Sequence, residues 1–268
     1  MNQKICIATF YKFLRLPDFR AWREPLLLIC RAAEVRGTIL LAEEGINATI
    51  AGEREGIDSV LRFLSSDERF ADMMVKESFH TTIPFQRLKV RLKREIVALK
   101  ATDANPLEQV GQYIEPEAWN SLIAQDDVFL LDARNEYEVQ LGSFAGARNP
   151  QTASFHELPR YLDQALNPKR HKRVAMFCTG GIRCEKASAY LLRQGFEQVY
   201  HLRGGILHYL EKVEPAQSLW QGECFVFDER VSLDHDLAKG RFTICDDCKA
   251  VVTGADETCP KCGSANIL

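Results

Sequence analysis

Apolar and polar positions follow one rhythm through the first hundred residues and another after them. Residues 5–10 are apolar and β-prone, and a helical stretch running to Val35 stops at Gly37. Residues 38–42 and 48–51 read as short strands around the turn Glu43-Glu44-Gly45-Ile46-Asn47. Beyond Gly52, the residues Ile57, Val60, Leu61 and Leu64 recur at three- and four-residue spacing, which predicts a helix with one buried face. Further strands are expected over 75–79, 88–92 and 96–99. The order β-α-β-β-α-β predicts a ferredoxin-like α+β sandwich over residues 1–110, closed by a linker around Asn105-Pro106.

From residue 111 the strands become continuous apolar runs. Tyr113-Ile114 leads into Pro116, well suited to the first position of a helix. Val128-Phe129-Leu130-Leu131 and Val174-Ala175-Met176-Phe177 have the composition of buried parallel strands, ending at Asp132-Ala133-Arg134 and at Cys178. A helix over 185–194, its stop Gly195, a strand over 199–202 and Gly204-Gly205 complete an α/β domain over 111–215. A mainly parallel sheet places its reactive groups at the C-terminal ends of its strands, where Cys178 lies. Residues 216–268 form a third, shorter region.

Charge changes this picture locally. The net charge of −3 excludes a uniformly basic protein, yet basic and acidic side chains number 17 and 15 over 1–110, 12 and 13 over 111–215, and 5 and 9 over 216–268. The acidic tail thus masks a basic strand. In residues 87–93, Arg87, Lys89, Arg91 and Lys93 alternate with Leu88, Val90 and Leu92, so period-2 geometry puts four cations on one face. That face is either solvated or a phosphate-binding surface for RNA, without the stacked aromatics of an RNA-recognition motif. No apolar run approaches the roughly 20 residues of a membrane helix, and the start lacks a signal peptide, so a cytoplasmic protein without membrane contact is expected.

Nine cysteines, an odd number in a chain read as cytoplasmic, point to metal ligands or reactive thiols rather than disulfides. Cys178-Thr179-Gly180-Gly181-Ile182-Arg183 places a cysteine after a buried strand, then a glycine-bearing loop, then a helix. Such a loop directs backbone N–H groups at one centre, and the helix N-terminus and Arg183 add positive charge. These are the conditions that lower a thiol pKa from about 8.5 towards 3.5–7.5. The competing reading is an inert buried thiol. A cysteine phosphatase needs five residues between nucleophile and arginine; Thr179 to Ile182 supply four, a loop sized for a sulfur adduct.

Asp132-x-Arg134, Glu138, the run Gly142 to Ala147, the Cys178 loop and Gly204-Gly205 resemble a rhodanese domain. The stretches Gly45 to Gly52, Arg87 to Val90, Glu95 to Val97, Cys178 to Lys186 and Gly222 to Asp228 resemble the tRNA uridine hydroxylase (TrhO) family. That resemblance implies oxygen-dependent conversion of the tRNA wobble uridine to 5-hydroxyuridine, with O2 as co-substrate, tRNA and an unidentified electron donor as partners, and Cys178 essential. The residues alone imply sulfur transfer through a Cys178 persulfide, and a non-catalytic RNA-binding adaptor is a third reading. No Gly-x-Gly-x-x-Gly fingerprint for a nucleotide cofactor opens a helix, and the six histidines show no spacing for a non-haem iron triad.

Asp132 and Arg134 are expected to pair structurally rather than touch substrate. Arg183 either binds an anionic group or supports the loop. Cys184 packs against the sheet or resolves an oxidised Cys178 as a disulfide. Cys6, Cys30 and Cys224 read as packing residues. Cys245-x-x-Cys248 and Cys259-x-x-Cys262 are two knuckles for one tetrahedral structural zinc in a zinc-ribbon-like tail, with no open coordination position for catalysis.

Overall fold

The computed structural model describes residues 4–101, 103–256 and 258–265. The chain divides into two compact units, Met1–Ala98 and Leu99–Leu268. In the first, the elements run β1 (Ile5–Phe13), α1 (Arg23–Ala32), β2 (Arg36–Ala42), β3 (Gly45–Gly52), α2 (Arg54–Ser65), β4 (Val75–His80) and β5 (Leu88–Leu92). The sheet order is β4-β1-β3-β2-β5, antiparallel except for the parallel β2–β5 pair. This is the ferredoxin-like sandwich with one added edge strand.

Its core joins alternate residues of the strands (Cys6, Ala8 and Phe10; Ile39 and Leu41; Ile46, Ala48 and Ile50) to Leu26 and Cys30 of α1 and Ile57, Val60 and Leu64 of α2. The three α2 residues are the periodic ones. Gly45 turns β2 into β3 at φ +136°, where a Cβ would sit 2.0 Å from the Lys12 carbonyl oxygen, so the turn requires glycine. On β5, Leu88, Val90 and Leu92 pack towards the core. Arg87, Arg91 and Lys93 are exposed and Lys89 half-buried on the other side. Residues 96–99 are not a strand, contrary to expectation. The Ile96 N–H donates to Glu44 Oε1 at 2.6 Å and its carbonyl accepts from Asn47 Nδ2 at 3.0 Å, so side chains supply the bonds a neighbouring strand would have made.

The second unit begins β6 (Gln112–Ile114), α3 (Pro116–Ile123), β7 (Val128–Asp132), α4 (Glu136–Val139), β8 (Gly142–Phe144), α5 (Leu158–Ala165), β9 (Arg173–Phe177), α6 (Ile182–Arg193), β10 (Gln198–Leu202) and α7 (Gly205–Lys212). Strands β6-β10-β9-β7 form a parallel sheet, which puts the ends of β7 and β9 side by side. Phe144 organises the aromatic core, meeting Phe177 and Tyr209 edge-on at 4.8 Å and Trp220 at 5.2 Å. Beyond residue 215, β11 (Trp220–Gly222) pairs antiparallel with β8. Two short hairpins follow, β12 (Cys224–Phe225) with β13 (Ser232–Leu233), and β14 (Phe242–Ile244) with β15 (Val251–Thr253). No helix of the described residues is long and apolar enough to cross a membrane.

Candidate active site

β9 delivers Cys178 to the end of the parallel sheet with no exposed surface. Gly181, at φ +100°, bends the chain into α6, and its N–H donates to Cys178 Sγ at 3.1 Å. The loop carbonyls are engaged elsewhere, because the first amides of α7 bond them: Ile206 N–H to Cys178 O at 3.0 Å and Leu207 N–H to Thr179 O at 3.1 Å. This approach depends on Gly205, at φ +69°. A Cβ there would lie 2.4 Å from Cys178 O, 2.7 Å from Gly181 N and 2.7 Å from Thr179 O.

Burial alone would push the Cys178 thiol up. The Cys184 side chain, the charge of Arg183 and the amides of Cys184 and Arg183 outweigh it and hold the thiol at about 5. Cys184, equally buried in the first turn of α6, goes the other way. Burial, together with the hydrogen bond to Cys178 and its charge, raises its thiol well above the ordinary value. The pair is therefore one thiolate and one thiol that donates to it.

Arg183 is buried and forms a bidentate pair with Glu138, Nη1 to Oε2 at 2.6 Å and Nη2 to Oε1 at 2.7 Å. Thr179 Oγ1 lies 3.3 Å from both Glu138 Oε1 and Arg183 Nη2. Burial of the Glu138 carboxyl is outweighed by Arg183, Arg134 and the Asn135 N–H, which hold it below the usual carboxylate range. Arg183 thus braces the loop through both of its Nη groups. Glu138 reaches it from α4, 45 residues earlier. The sequence names this residue through the rhodanese resemblance, and in the structure it also accepts the Asn135 N–H on Oε2 at 3.1 Å at the start of α4.

Asp132 and Arg134 form a fully buried bidentate pair at 2.8 and 2.6 Å, and Ser143 Oγ donates to Asp132 Oδ2 at 2.8 Å. Arg134 also bonds the Gly142 carbonyl at 2.6 Å, tying β7 to β8. The pair belongs to the scaffold under the loop. Cys224 is buried beside it, with its thiol pushed up to about 12 by desolvation, and burial likewise pushes Cys6 up to about 11 and Cys30 to about 12.

In the tail, the sulfurs of Cys245, Cys248, Cys259 and Cys262 all lie within 4.8 Å of one another, with Cys245–Cys262 at 3.7 Å and Cys248–Cys259 at 3.6 Å. A tetrahedron with zinc–sulfur bonds of about 2.3 Å has edges of about 3.8 Å, whereas a disulfide needs about 2.05 Å. The donor set and spacing fit a structural metal such as zinc.

Residues 5–96 match the UPF0176 acylphosphatase-like domain family, and residues 115–212 match the rhodanese-like domain family. Among solved structures, the rhodanese-like domain of an Anabaena protein is 20% identical, aligning 41% of this chain with 78% of its own at a TM-score of 0.34. A rhodanese-related protein from Thermoplasma volcanium is 24% identical over 39% of this chain and 95% of its own, at 0.31. An acylphosphatase from Coxiella burnetii is 16% identical over 33% of this chain and 94% of its own, at 0.26. The two family matches agree with the two sheet topologies, a ferredoxin-like sandwich and a parallel rhodanese-like sheet.

Proposed function

The chain has the two-domain architecture of the TrhO/UPF0176 family, and on that premise we propose that it modifies tRNA, hydroxylating the wobble uridine to 5-hydroxyuridine with O2 as co-substrate. The observation that carries this reading is the pairing of the UPF0176 domain with a rhodanese-like domain. It is supported by a Cys178 sulfur that accepts the Gly181 N–H at 3.1 Å with Cys184 and Arg183 beside it, its thiol held at about 5. A thiolate so placed can add to C6 of a uracil ring and leave an electron pair at C5. C5 then takes up an oxygen atom, and loss of its proton expels the thiolate and restores the ring. Over one cycle, one atom of O2 enters the product and the other leaves as water, with two electrons and two protons coming from the unidentified donor. Arg87, Lys89, Arg91 and Lys93 would hold the tRNA backbone, and a zinc on the four tail cysteines would be structural.

A second reading, sulfur transfer through a Cys178 persulfide, is favoured by one observation. The Gly181 N–H points at Cys178 Sγ inside a loop of sulfur size. Nucleoside mass spectrometry of tRNA from a deletion strain, complemented with wild type or Cys178→Ser, separates the readings. Loss of 5-hydroxyuridine restored by wild type but not by the variant is the expected result. Altered thiolation would favour the persulfide, and unchanged nucleosides would leave an RNA-binding adaptor.

A further inference from the structure

Cys178 has no exposed surface, so a substrate first meets what surrounds it. One such residue is an aromatic ring that is packed on one side and open to solvent on the other. Phe227 is 59% exposed, while the other phenylalanines of this unit are buried or half-buried. Its ring lies 5.8 Å from the guanidinium carbon of Arg183 and meets Phe225 edge-on at 5.1 Å. The Phe225 carbonyl in turn lies 3.5 Å from Oγ1 of Thr179, the residue after Cys178. Phe227 therefore stands over the loop that holds the thiolate.

The turn carrying this ring is fixed on several sides. Val226 N–H donates to Val231 O at 2.8 Å, and Val231 N–H to Asp228 O at 3.0 Å. Arg230 and Asp228 form a buried bidentate pair at 2.8 and 2.6 Å within the turn. Val231 is held at φ +65°, a conformation a β-branched residue adopts only where its surroundings impose it. A rigid turn that holds a phenylalanine in solvent beside a buried cation gives a flat apolar surface with no internal partner on its outer side. An unpaired pyrimidine has the complementary face, and enzymes that work on a base extract it from its stack and sandwich it against such rings.

We propose that Phe227, backed by Arg183, is the stacking platform that receives the unpaired uracil at the entrance to the Cys178 loop. This rests on the tRNA reading above. The test uses the full-length protein and an anticodon stem–loop RNA carrying 5-iodouridine at the wobble position, with Phe227→Ala and Phe227→Trp as variants. Base–aromatic stacking is worth about 5- to 150-fold in affinity, so Phe227→Ala should weaken binding by that factor and Phe227→Trp should keep it. Photocross-linking should map to residue 227, and the pH profile of Cys178 alkylation should not move in either variant.

Unchanged affinity in Phe227→Ala, or a cross-link on another residue, overturns the platform. Cross-linking at Phe227 by a wild-type protein that makes no 5-hydroxyuridine in cells keeps the platform and sinks the hydroxylase reading. Wild-type and Phe227→Ala proteins that make 5-hydroxyuridine equally well do the reverse. A wild type that does not bind the stem–loop removes both.

Discussion

The sharpest prediction concerns the pH at which Cys178 becomes reactive. At a pKa of about 5, almost all of the sulfur is thiolate at pH 7, against about 3% for an ordinary thiol near 8.5. The gain is about 30-fold, yet nucleophilicity falls with pKa at a slope of about 0.4–0.5, which over 3.5 units removes about 25- to 55-fold. The two effects nearly cancel, so the rate at pH 7 says little and the midpoint of the pH profile says everything. Iodoacetamide modification of Cys178, followed by peptide mass spectrometry between pH 3.5 and 10, should give a midpoint near 5 in the folded protein and near 8.5 in denaturant. The Cys184 thiol contributes a hydrogen bond to a charge, worth about 1.5–3 kcal/mol. Cys184→Ala should therefore raise the midpoint by about 1–2 units, and Cys184→Ser, which keeps a donor, by less. Linkage gives an independent check. The thiolate stabilises the fold fully above about pH 8.5, and that contribution disappears as pH falls through about 5. A wild-type midpoint above 8, or an alanine variant indistinguishable from wild type, would refute the assigned electrostatics.

Three further outcomes follow from the geometry. Glu138→Gln leaves Arg183 buried without its counter-charge and should cost about 3–5 kcal/mol, a fall in Tm of roughly 6–20 °C. Combining it with Arg183→Met should cost less than the sum of the single variants, and strict additivity in thermal denaturation would argue against the pair. Because the Glu138 carboxyl is held below its ordinary value, its contribution is present above about pH 4.3 and is lost on further acidification, a loss the Gln variant should not show. Purified protein should carry one zinc per chain by elemental analysis. Cys259→Ser should abolish it and speed amide exchange in β14 and β15; retained zinc would count against the four-cysteine site. Replacing Arg87, Lys89, Arg91 and Lys93 with Gln should lower the salt slope of tRNA binding by about 3, and an unchanged slope would take that strand out of the RNA interface.

Where periodicity was long, the sequence was readable. Ile57, Val60 and Leu64 line the buried face of α2, and the alternation over 87–93 separates core from solvent as period-2 geometry demands. Cys178 was legible because strand, glycines and helix start are contiguous. Ile96 misled because an apolar segment can be held by the side chains of Glu44 and Asn47 as well as by a strand. The β8–β11 ladder has only three residues a side, joined across 76 to 80 positions, too short for any pattern to register. Glu138 was visible only as part of the rhodanese resemblance; its partner Arg183 lies 45 residues on, and only the fold brings the two together. Phe227 lies in a turn with no period, and an exposed ring and a buried one are spelled alike.

The enclosure of Cys178 by its own loop and the first amides of α7 has a kinetic consequence. A reagent can attack the sulfur only during the fraction of time that the loop is open, and each 1.4 kcal/mol needed to open it divides that fraction by ten. A thiolate standing in open water would be consumed by whatever peroxide or disulfide diffused past. Behind a closed loop, reactivity becomes conditional on whatever supplies the free energy of opening, and a large ligand that binds the surrounding surface supplies more of it than a small oxidant can. Enclosure thus makes the thiolate selective rather than fast, with that selectivity resting on Gly205, the residue whose missing side chain lets α7 close against the loop.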